Sequence, residues 1–354
     1  MKKKILFICG SVNQTSMMHR ISLYFPDYDC YFTPYYYAGD TQDALVRSLF
    51  NFSIIGGKYR ELTLDYLISN NLPVDDGGNG NDYNVVFTCQ DLIIQKNIQH
   101  AKIFLVQEGM TDPEKFGYFL VKRMKFPRWI AGTSATGMSN SYQLFFVASE
   151  GYRELFIRKG ADPRNVVATG IPNFDNSAGY LRNDFPHKNY VLVITSNLRE
   201  CHEYENRRKF ILRAKEIAGG RQILFKLHPS ENMERAIREI NRYAPGSLIY
   251  SIGNTNHMIA NCEVMVTHRS STVYVAHALG KEIHADIPGE EIARLAPIQN
   301  GGRSAWLIAS IARQSVNRLS PVYARYPWSA AGVVHRKNRF VQRHMETETK
   351  SCTA

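Results

Sequence analysis

The chain has 354 residues, 44% of them hydrophobic and 21% charged, which is the composition of a globular protein long enough for two ordinary domains. It contains no low-complexity tract that would favour disorder. No apolar run approaches the roughly 20 residues that a membrane-spanning helix needs. The formal net charge of +11 favours an anionic partner surface without identifying one.

The first predicted element is a buried strand at residues 4–10, KILFICG. Lysines followed by apolar residues imitate a signal peptide, but the apolar part ends at Gly10, at about half the length of a minimal signal core. We therefore expect a cytoplasmic protein. The six cysteines show no CxxC spacing, so the sequence indicates neither a zinc site nor a redox pair.

Short apolar runs rich in β-branched and aromatic residues recur along the chain, with helical patterns between them. In the first half they predict strands at 4–10, 83–89, 101–107, 144–149 and 165–170. In the second half they predict strands at 189–196, 222–228, 247–251 and 263–268. Continuous apolar strands that alternate with helices predict parallel sheets covered on both faces.

A polar segment separates the two series of strands. Residues 171–188 contain two prolines and a glycine, a composition typical of a linker. We therefore predict an α/β protein with two doubly wound, Rossmann-like domains that face each other across a cleft. The predicted boundaries are a first domain at 1–175, a linker at 176–188, a second domain at 189–312, and a basic helix and tail at 313–354.

Ligands of doubly wound domains bind beyond the carboxyl ends of the strands, so segments directly after a strand are the candidates for a site. After the first strand, Gly10 and Ser11 open a helix without a GxGxxG fingerprint. A helix cap explains this turn as well as a ligand contact does. After strand 101–107, Glu108 and Gly109 place a carboxylate beside open backbone. This carboxylate suits a general base, and the simpler alternative is an exposed loop acid.

The strand at 222–228 ends in a histidine that is followed at once by a proline. His228 titrates near neutral pH and suits either a phosphate contact or proton donation, whereas a lone histidine is more often structural. Lys226 adds positive charge and Pro229 fixes the turn. We also assign Thr195 and Ser196, at the end of the strand before, to the substrate-binding residues.

The strand at 263–268 leads into a hydroxyl-rich helix start. Ser270, Ser271 and Thr272 precede an apolar helix, and Arg269 stands beside them. A helix start with free N–H groups, hydroxyls and an arginine is suited to an anion, although serines also cap helices without any ligand. With the histidine on the same half, these residues predict a phosphate-bearing ligand in the second domain.

In this order the motifs resemble the GT-B superfamily of glycosyltransferases, and most closely the bacterial capsule and teichoic-acid enzymes that use CMP- or CDP-activated donors. That group includes sialyltransferases, Kdo transferases and CDP-glycerol glycerophosphotransferases. The resemblance spans most of residues 1–310 and is carried by Gln107-Glu108-Gly109, His228-Pro229 and Ser270-Ser271-Thr272. Residues 149–175 also look like the segment before the linker in these enzymes and in UDP-N-acetylglucosamine 2-epimerases.

The resemblance implies roles for these residues. Glu108 would deprotonate an acceptor hydroxyl on the first domain, which gives inversion at the transferred centre. His228 would bind the donor phosphate and stabilise the leaving nucleotide, and Ser270, Ser271 and Thr272 would hold that phosphate in the second domain. The sialyltransferase pattern has an acid where this chain has Gln107, so Glu108 is the only carboxylate of the motif.

The implied partners are a nucleotide-activated sugar or alditol donor, with CMP or CDP favoured over UDP, and a glycan or glycolipid acceptor of cell-surface polysaccharide synthesis. No cofactor and no metal are expected. The alternative is an isomerase like the UDP-N-acetylhexosamine 2-epimerases. Those enzymes carry glutamates soon after the helix start, and the helix segment VYVAHA at 273–278 has none.

Two acidic segments are interpreted as loops. Asp27-Tyr28-Asp29 is the only DxD sequence, and it does not follow a predicted strand, so we do not assign it to a metal. The glycine-rich stretch DDGGNGND at 75–82 lacks the spacing of a calcium loop and predicts a flexible surface loop.

Positive charge is concentrated near the C-terminus. Residues 313–343 contain seven Lys or Arg and no acid, with Tyr323, Tyr326 and Trp328 among them. Such a mixture suits inner-leaflet lipid or nucleic acid, and equally a solvated helix with a loose tail. Because the chain shows no helix-turn-helix or RNP pattern, we expect no nucleic-acid partner and regard the inner membrane surface as a partner of the tail.

Overall fold

Two parallel sheets make up the fold in the computed structural model, which describes residues 2–36, 57–201 and 203–317. The first sheet has six strands and is built from the first half of the chain, and the second has five strands from the second half. Helices lie between successive strands in both halves. The prediction of an α/β protein with two doubly wound domains is confirmed.

The first sheet has the strand order β2-β1-β3-β4-β5-β6. Its strands are β1 (Lys4–Cys9), β2 (Asp29–Pro34), β3 (Val85–Thr88), β4 (Lys102–Val106), β5 (Leu144–Val147) and β6 (Val166–Ala168). The strand order changes direction at β1, which pairs with β2 on one side and β3 on the other. The carboxyl ends of β1 and β3 therefore form a crevice of the kind in which ligands bind.

Stacked phenylalanines run across this sheet and fix its register. The Phe7 ring stacks on Phe32 and on Phe87, with ring centroids 5.2 Å apart in each pair. Phe87 stacks in turn on Phe104 at 5.2 Å, and Phe104 on Phe146 at 6.1 Å. A one-residue slip of any strand would move its phenylalanine to the other face, so the row selects a single pairing.

The second sheet has the strand order β11-β10-β7-β8-β9. Its strands are β7 (Val191–Ile194), β8 (Ile223–Lys226), β9 (Leu248–Tyr250), β10 (Val264–Thr267) and β11 (Glu282–His284). Here the order changes direction between β7 and β10, because β8 follows on the other side of β7. The second crevice therefore lies at the ends of β7 and β10.

The helices begin and end at residues suited to those positions. They are α1 (Val12–Ser22), α2 (Gly57–Ser69), α3 (Phe116–Met124), α4 (Glu150–Lys159), α5 (Arg207–Ala218), α6 (Met233–Tyr243), α7 (Thr255–Asn261), α8 (Thr272–Ala278), α9 (Gly289–Leu295) and α10 (Ser304–Asn317). Asn206 caps α5 by accepting from Lys209 N–H, and Gly219 ends the helix in the left-handed region, which glycine adopts easily.

Two strands, β2 and β11, were not predicted, and both lie at sheet edges. Asp29, which we interpreted as part of a loop, is the first residue of β2. A strand that begins with Asp and ends with Pro34 does not have the usual composition, and an edge position tolerates it because one side needs no partner.

The acidic stretch at 75–82 is also more ordered than a flexible surface loop. The Asp75 carboxylate is buried and accepts from the Gly80 backbone N–H at 2.9 Å and from Asn81 Nδ2 at 3.1 Å. It also accepts from the Tyr83 hydroxyl. Asp75 therefore folds the loop around itself.

The C-terminal helix returns to the first domain. Helix α10 packs against α1, and its Ile308 and Ala312 are fully buried in the core beneath the first sheet. Arg313 forms an ion pair with Asp27 at 2.5 Å. The predicted boundary between 312 and 313 falls inside one continuous helix, which packs on the first domain. The rest of the predicted tail, 318–354, lies outside the described residues.

None of the helices in the described ranges combines the length and the apolar character needed to cross a membrane.

Candidate functional site

A cavity of about 620 Å³ lies between the two sheets, at the carboxyl ends of their strands. From the first domain it is lined by residues that follow β1, β3 and β4, including Asn13, Gln90 and Glu108. From the second domain it is lined by Ser271 and Thr272 after β10. The cavity therefore joins the crevices of both domains, which is the place expected for a ligand in such folds.

Glu108 is the single carboxylate among the described residues that line this cavity. Its two oxygens accept hydrogen bonds from Ser11 Oγ at 3.0 Å and from Gln14 Nε2 at 2.5 Å. Burial raises the pKa of Glu108 above its ordinary value, and the hydrogen bonds from Gln14 and Ser11 partly oppose that rise. A carboxylate with a raised pKa is a stronger base than an exposed one, so Glu108 is suited to accept a proton.

Ser11 is both a helix cap and a partner of Glu108. Its Oγ accepts from the Gln14 backbone N–H at 3.2 Å, which caps α1, and donates to the carboxylate. Gly10 is buried, and its carbonyl accepts from Thr63 Oγ1 at 3.4 Å. The predicted substrate contact at Gly10 is therefore replaced by an internal one, and Ser11 orients the base.

The contacts of the Gln107 side chain explain why this chain has an amide where the sialyltransferase pattern has an acid. The side chain is buried; its Nε2 donates to the Gly109 carbonyl at 2.7 Å and its Oε1 accepts from the Ala148 N–H at 2.9 Å. A carboxylate at this position has no donor for the carbonyl. Gln107 thus holds the turn that presents Glu108.

The structure brings two of the predicted motifs into contact. A Cβ placed on Gly109 would lie 3.7 Å from Ser271 Cβ and 3.5 Å from the Phe174 ring. Ser270 Oγ accepts from Thr272 Oγ1 at 2.9 Å and so shapes the turn into α8. Ser271 and Thr272 therefore face the cavity directly beside the Glu108 turn.

Arg269 lies apart from these hydroxyls. It lines a second cavity of about 460 Å³, together with Tyr274 and the buried Lys159. The two cavities share Met110 and Thr111 in their walls. Arg269 thus lines the adjoining cavity, whereas Ser271 and Thr272 line the first.

His228 is half-buried at the end of β8 and does not line the first cavity. Its strand is two positions from β10 in the sheet, which corresponds to a lateral separation of about 10 Å at ordinary strand spacing. Burial lowers the pKa of His228, and the nearby Lys226 ammonium lowers it further. The Ser230 N–H donates to Nδ1 at 3.2 Å, so the neutral ring carries its proton on Nε2.

Two other predicted substrate-binding residues make internal contacts instead. Lys226 Nζ donates to the Leu227 and Ser251 carbonyls, at 2.9 Å each. Thr195 is buried; its Oγ1 donates to Glu231 at 2.5 Å and accepts from the His228 N–H at 3.0 Å. These two residues support the His228 turn from inside the domain, which corrects their assignment as ligand contacts.

The remaining two predicted residues flank the same turn. The Ser196 carbonyl accepts from Arg207 Nη2 at 3.2 Å, and its buried hydroxyl has no hydrogen-bond partner within the described ranges. Pro229 is exposed next to His228. Pro229 is thus accessible at the end of β8, whereas the Ser196 hydroxyl is not.

A buried ion network beneath His228 was missed by the sequence analysis. Arg207 and Glu231, whose side chains are 2% and 0% exposed, approach to 2.7 Å. Arg207 also pairs with Glu205 at 2.9 Å, and Glu205 with His268 at 3.2 Å. The network ties the ends of β7, β8 and β10 together. Its only signal in the sequence is the glutamate three residues after His228.

Three residues of α1 that were not predicted also line the cavity, and their helical spacing is the sequence signal that could have identified them. Asn13, Ser16 and Arg20 recur at helical spacing and line the cavity with one face of the helix. Arg20 donates to the Pro172 carbonyl and to Asn173 Oδ1, at 2.7 Å each. Among the residues that the structure describes, no cluster of three or more His, Cys, Asp or Glu side chains is arranged to hold a metal ion.

No family model and no curated protein matches the sequence. Solved structures do match the fold. A putative UDP-N-acetylglucosamine 2-epimerase from Listeria monocytogenes is 13% identical, with a TM-score of 0.53, over 91% of this chain and 98% of that one. A UDP-GlcNAc 2-epimerase from Neisseria meningitidis bound to UDP-GlcNAc is 13% identical, with a TM-score of 0.54, over 88% of this chain and 100% of that one.

The wall teichoic acid polymerase TagF is 11% identical, with a TM-score of 0.51, over 89% of this chain and 88% of that one. At such identities the likeness shows the fold alone. That fold consists of two Rossmann-like α/β domains, which confirms the predicted fold class.

Proposed function

We propose that the protein catalyses metal-independent, inverting transfer of a glycosyl or alditol-phosphate group from a nucleotide-activated donor, CMP or CDP rather than UDP. The acceptor is a glycan or glycolipid of cell-surface polysaccharide synthesis. One observation carries the proposal: Glu108 is a half-buried carboxylate with a raised pKa, and it stands as the single carboxylate among the described residues that line the cavity between the domains.

The proposed reaction uses Glu108 as the general base. Its carboxylate takes the proton of an acceptor hydroxyl, and the hydroxyl oxygen forms a bond to the transferred centre of the donor. The bond between that centre and the nucleotide phosphate oxygen breaks, and its electron pair leaves with the nucleotide. The Ser271 hydroxyl donates a hydrogen bond to the charge that develops on the phosphate, and Thr272 lines the same wall of the cavity.

His228 is proposed to contact the other end of the nucleotide. The neutral ring offers an Nε2–H donor at the edge of the same sheet, about 10 Å from the Ser271 turn at ordinary strand spacing. That separation suits a ligand that spans several strand ends better than a single phosphate. In this arrangement His228 is a hydrogen-bond donor to the nucleotide, with Ser196 beside it.

Epimerisation is the second candidate, because two of the structures with this fold are named as UDP-N-acetylglucosamine 2-epimerases. Inverting a carbon by proton transfer requires a base on one face of the sugar and an acid on the other. The described lining of the first cavity offers Glu108 as its only carboxylate, and His228 lies outside that lining. This asymmetry favours transfer, which needs only one base.

The test begins with titration calorimetry of CMP, CDP, UDP and GDP, followed by transfer assays with activated donors of the nucleotide that binds. Replacing Glu108 by Gln removes the base and keeps the size, so we expect transfer to fall by roughly 10²–10⁴-fold with nucleotide affinity unchanged. The matched control is Glu234→Gln, whose side chain is 89% exposed on α6.

Three results would contradict the proposal: Glu108→Gln with wild-type transfer, the absence of nucleotide binding, or conversion of UDP-N-acetylhexosamine to its epimer without any acceptor. The last result would establish the epimerase alternative. Because nucleotide binding and turnover are measured separately, loss of the base is distinguished from loss of the donor site.

A further inference from the structure

One surface of the first domain exposes an unusual set of large apolar side chains. They lie on the surface hairpin, defined here as residues 115–130, which comprises α3 and the turn that follows it. The exposed side chains are Phe116 (75%), Phe119 (55%), Met124 (61%), Phe126 (42%), Trp129 (51%) and Ile130 (37%). Single exposed apolar residues are ordinary, but six within one short segment indicate an interaction site.

Helix α3 is apolar on both its inner and its outer side. Tyr118 and Val121 are buried against the domain, whereas Phe116 and Phe119 face solvent. A helix that is hydrophobic around its circumference is normally buried on all sides. The outer side of α3 therefore lacks a partner within the described residues.

The same segment is strongly basic. It carries five cations and no acid, namely Lys115, Lys122, Arg123, Lys125 and Arg128. Arg123 and Lys125 form no ion pair within the described ranges, while Lys115 pairs with Glu203 at 2.7 Å. Aromatic side chains interleaved with unpaired cations are the composition of segments that lie in the interface of an anionic membrane.

We propose that the surface hairpin docks the protein on a bilayer rich in anionic lipid, with its aromatic rings at the headgroup level and its cations on the lipid phosphates. Charge selects this occupant over two others. The chain segment 318–354 has seven Lys or Arg against two Glu, so its net positive charge opposes docking on a basic surface. A second copy that docked through the same hairpin would place its five cations against the five of the first, and like charges repel.

The position of the surface hairpin gives it a consequence for the site. Met110 and Thr111 precede it and Thr133 and Thr136 follow it, and all four line the first cavity. A protein docked through this hairpin would hold the cavity close to the membrane surface. The inference thus deepens the proposed function, on which it rests only for the lipid-linked nature of the acceptor.

The test uses the full chain with Trp129 as its only tryptophan, obtained by Trp306→Phe and Trp328→Phe. Vesicles of phosphatidylglycerol and phosphatidylcholine are compared with vesicles of phosphatidylcholine alone. We expect co-sedimentation and a blue shift of Trp129 emission with the anionic vesicles, quenching by lipids brominated on the acyl chains, and weakening by salt.

Two hairpin variants and two matched controls locate the binding surface. Phe116→Ser with Phe119→Ser, and Lys122→Gln with Arg123→Gln and Lys125→Gln, are expected to weaken vesicle binding, the latter about fivefold for each cation removed. The apolar control replaces the exposed Tyr204 and Ile252 by Ser. The charge control replaces the exposed Lys188, Lys209 and Lys215 by Gln.

Four results would overturn the inference: no vesicle binding by the parent chain, wild-type binding by both hairpin variants, equal losses in the controls, or conversion of a dimer to a monomer by the hairpin variants. Deleting 318–354 should leave the Trp129 signal in place, and loss of that signal would transfer membrane docking to the tail. If the hairpin is separate from the donor site, calorimetry gives the same nucleotide affinity for these variants as for the parent chain. If the parent chain itself binds no nucleotide, that result contradicts the proposed function and leaves the membrane inference untouched.

Discussion

The Glu108 carboxylate receives both of its hydrogen bonds from the first turn of α1, through Ser11 and Gln14. Burial raises its pKa, and these two donors stabilise the charged form against that rise. The protonation state of the candidate base is therefore set by a helix start nearly a hundred residues away in the chain. A mutation at Gln14 changes the pKa of Glu108 while the carboxylate stays in place.

We expect Gln14→Ala to move the acid limb of the kcat/KM profile to higher pH. Gln14 lowers the pKa of Glu108, so its loss raises that pKa further, and a larger share of the enzyme carries the protonated, inactive base at a given pH. The rate at high pH should change little, and that plateau is the internal control. A lower rate at all pH values with an unmoved limb would show that Gln14 acts only on packing.

Replacing Gln107 by Glu restores the acid of the sialyltransferase pattern, yet we expect it to damage this protein. The substitution removes the donor to the Gly109 carbonyl and buries a charge beside that oxygen. The expected loss of folding free energy is about 1–3 kcal/mol, together with reduced turnover. Chemical denaturation measures the first, with the exposed Gln99→Glu as control; equal stability of both variants would refute the role of the amide.

For single residues, the sequence predicted which positions lie at the site better than it predicted where each side chain points. Glu108, Ser271 and Thr272 follow strands and line the cavity, as their positions predict. Lys226 also ends a strand, but its ammonium turns inward to two carbonyl oxygens. Position relative to a strand is set by local pattern, whereas the direction of a long side chain depends on which distant carbonyls need a donor.

Helices α4 and α9 meet where the two domains touch. Gly151 in α4 lies so close to α9 that a Cβ on it would be 2.0 Å from the Arg294 carbonyl oxygen. Nearby, the Tyr152 and Tyr274 hydroxyls share a hydrogen bond of 2.6 Å across the same junction. The close approach depends on the missing side chain of one glycine.

Gly151→Ala is therefore expected to force α4 and α9 apart at a cost of about 1–3 kcal/mol, the usual range for overpacking. Thermal unfolding measures the loss. Gly289→Ala is the matched control, because it lies in α9 and no described atom is within 4 Å of its added Cβ. Equal melting temperatures for the two variants would mean that the junction relaxes freely.

The strands of the sheet centres were predictable, whereas two of the four edge strands, β2 and β11, were not. β1, β3, β4 and β5 are continuous apolar runs because neighbours cover them on both sides. β2 and β11 are the outermost strands of their sheets, so their composition is less constrained and resembles a loop. The other two edge strands, β6 (VVA) and β9 (LIY), are apolar runs, and the sequence predicted both.

The whole molecule is joined by two crossings of the chain. Residues 171–188 lead from the first domain to the second, and the chain returns to place α10 on the first domain. The fold class was predictable because each half repeats the alternation of strand and helix. The return of the chain to the first domain was not predictable, because the apolar face of α10 has the same sequence pattern whichever domain it packs against.

We expect a chain that ends at Asn317 to keep a cooperative unfolding transition because it retains α10, and a chain that ends at Arg303 to lose it. The shorter form lacks α10 and with it Ile308 and Ala312, both fully buried. Circular dichroism melting of the two truncated forms makes the comparison. A cooperative transition in the shorter form would show that α10 is dispensable to the first domain.

The position of α10 also determines when the core of the first domain can form during synthesis on the ribosome. The first domain is a discontinuous unit, with the second domain inserted between β6 and α10, so its core cannot close when its last strand emerges. At about 5–20 residues per second, roughly ten seconds pass between Ala168 and Ser304. Throughout that interval the apolar face of α1 lacks the cover that α10 provides in the folded protein.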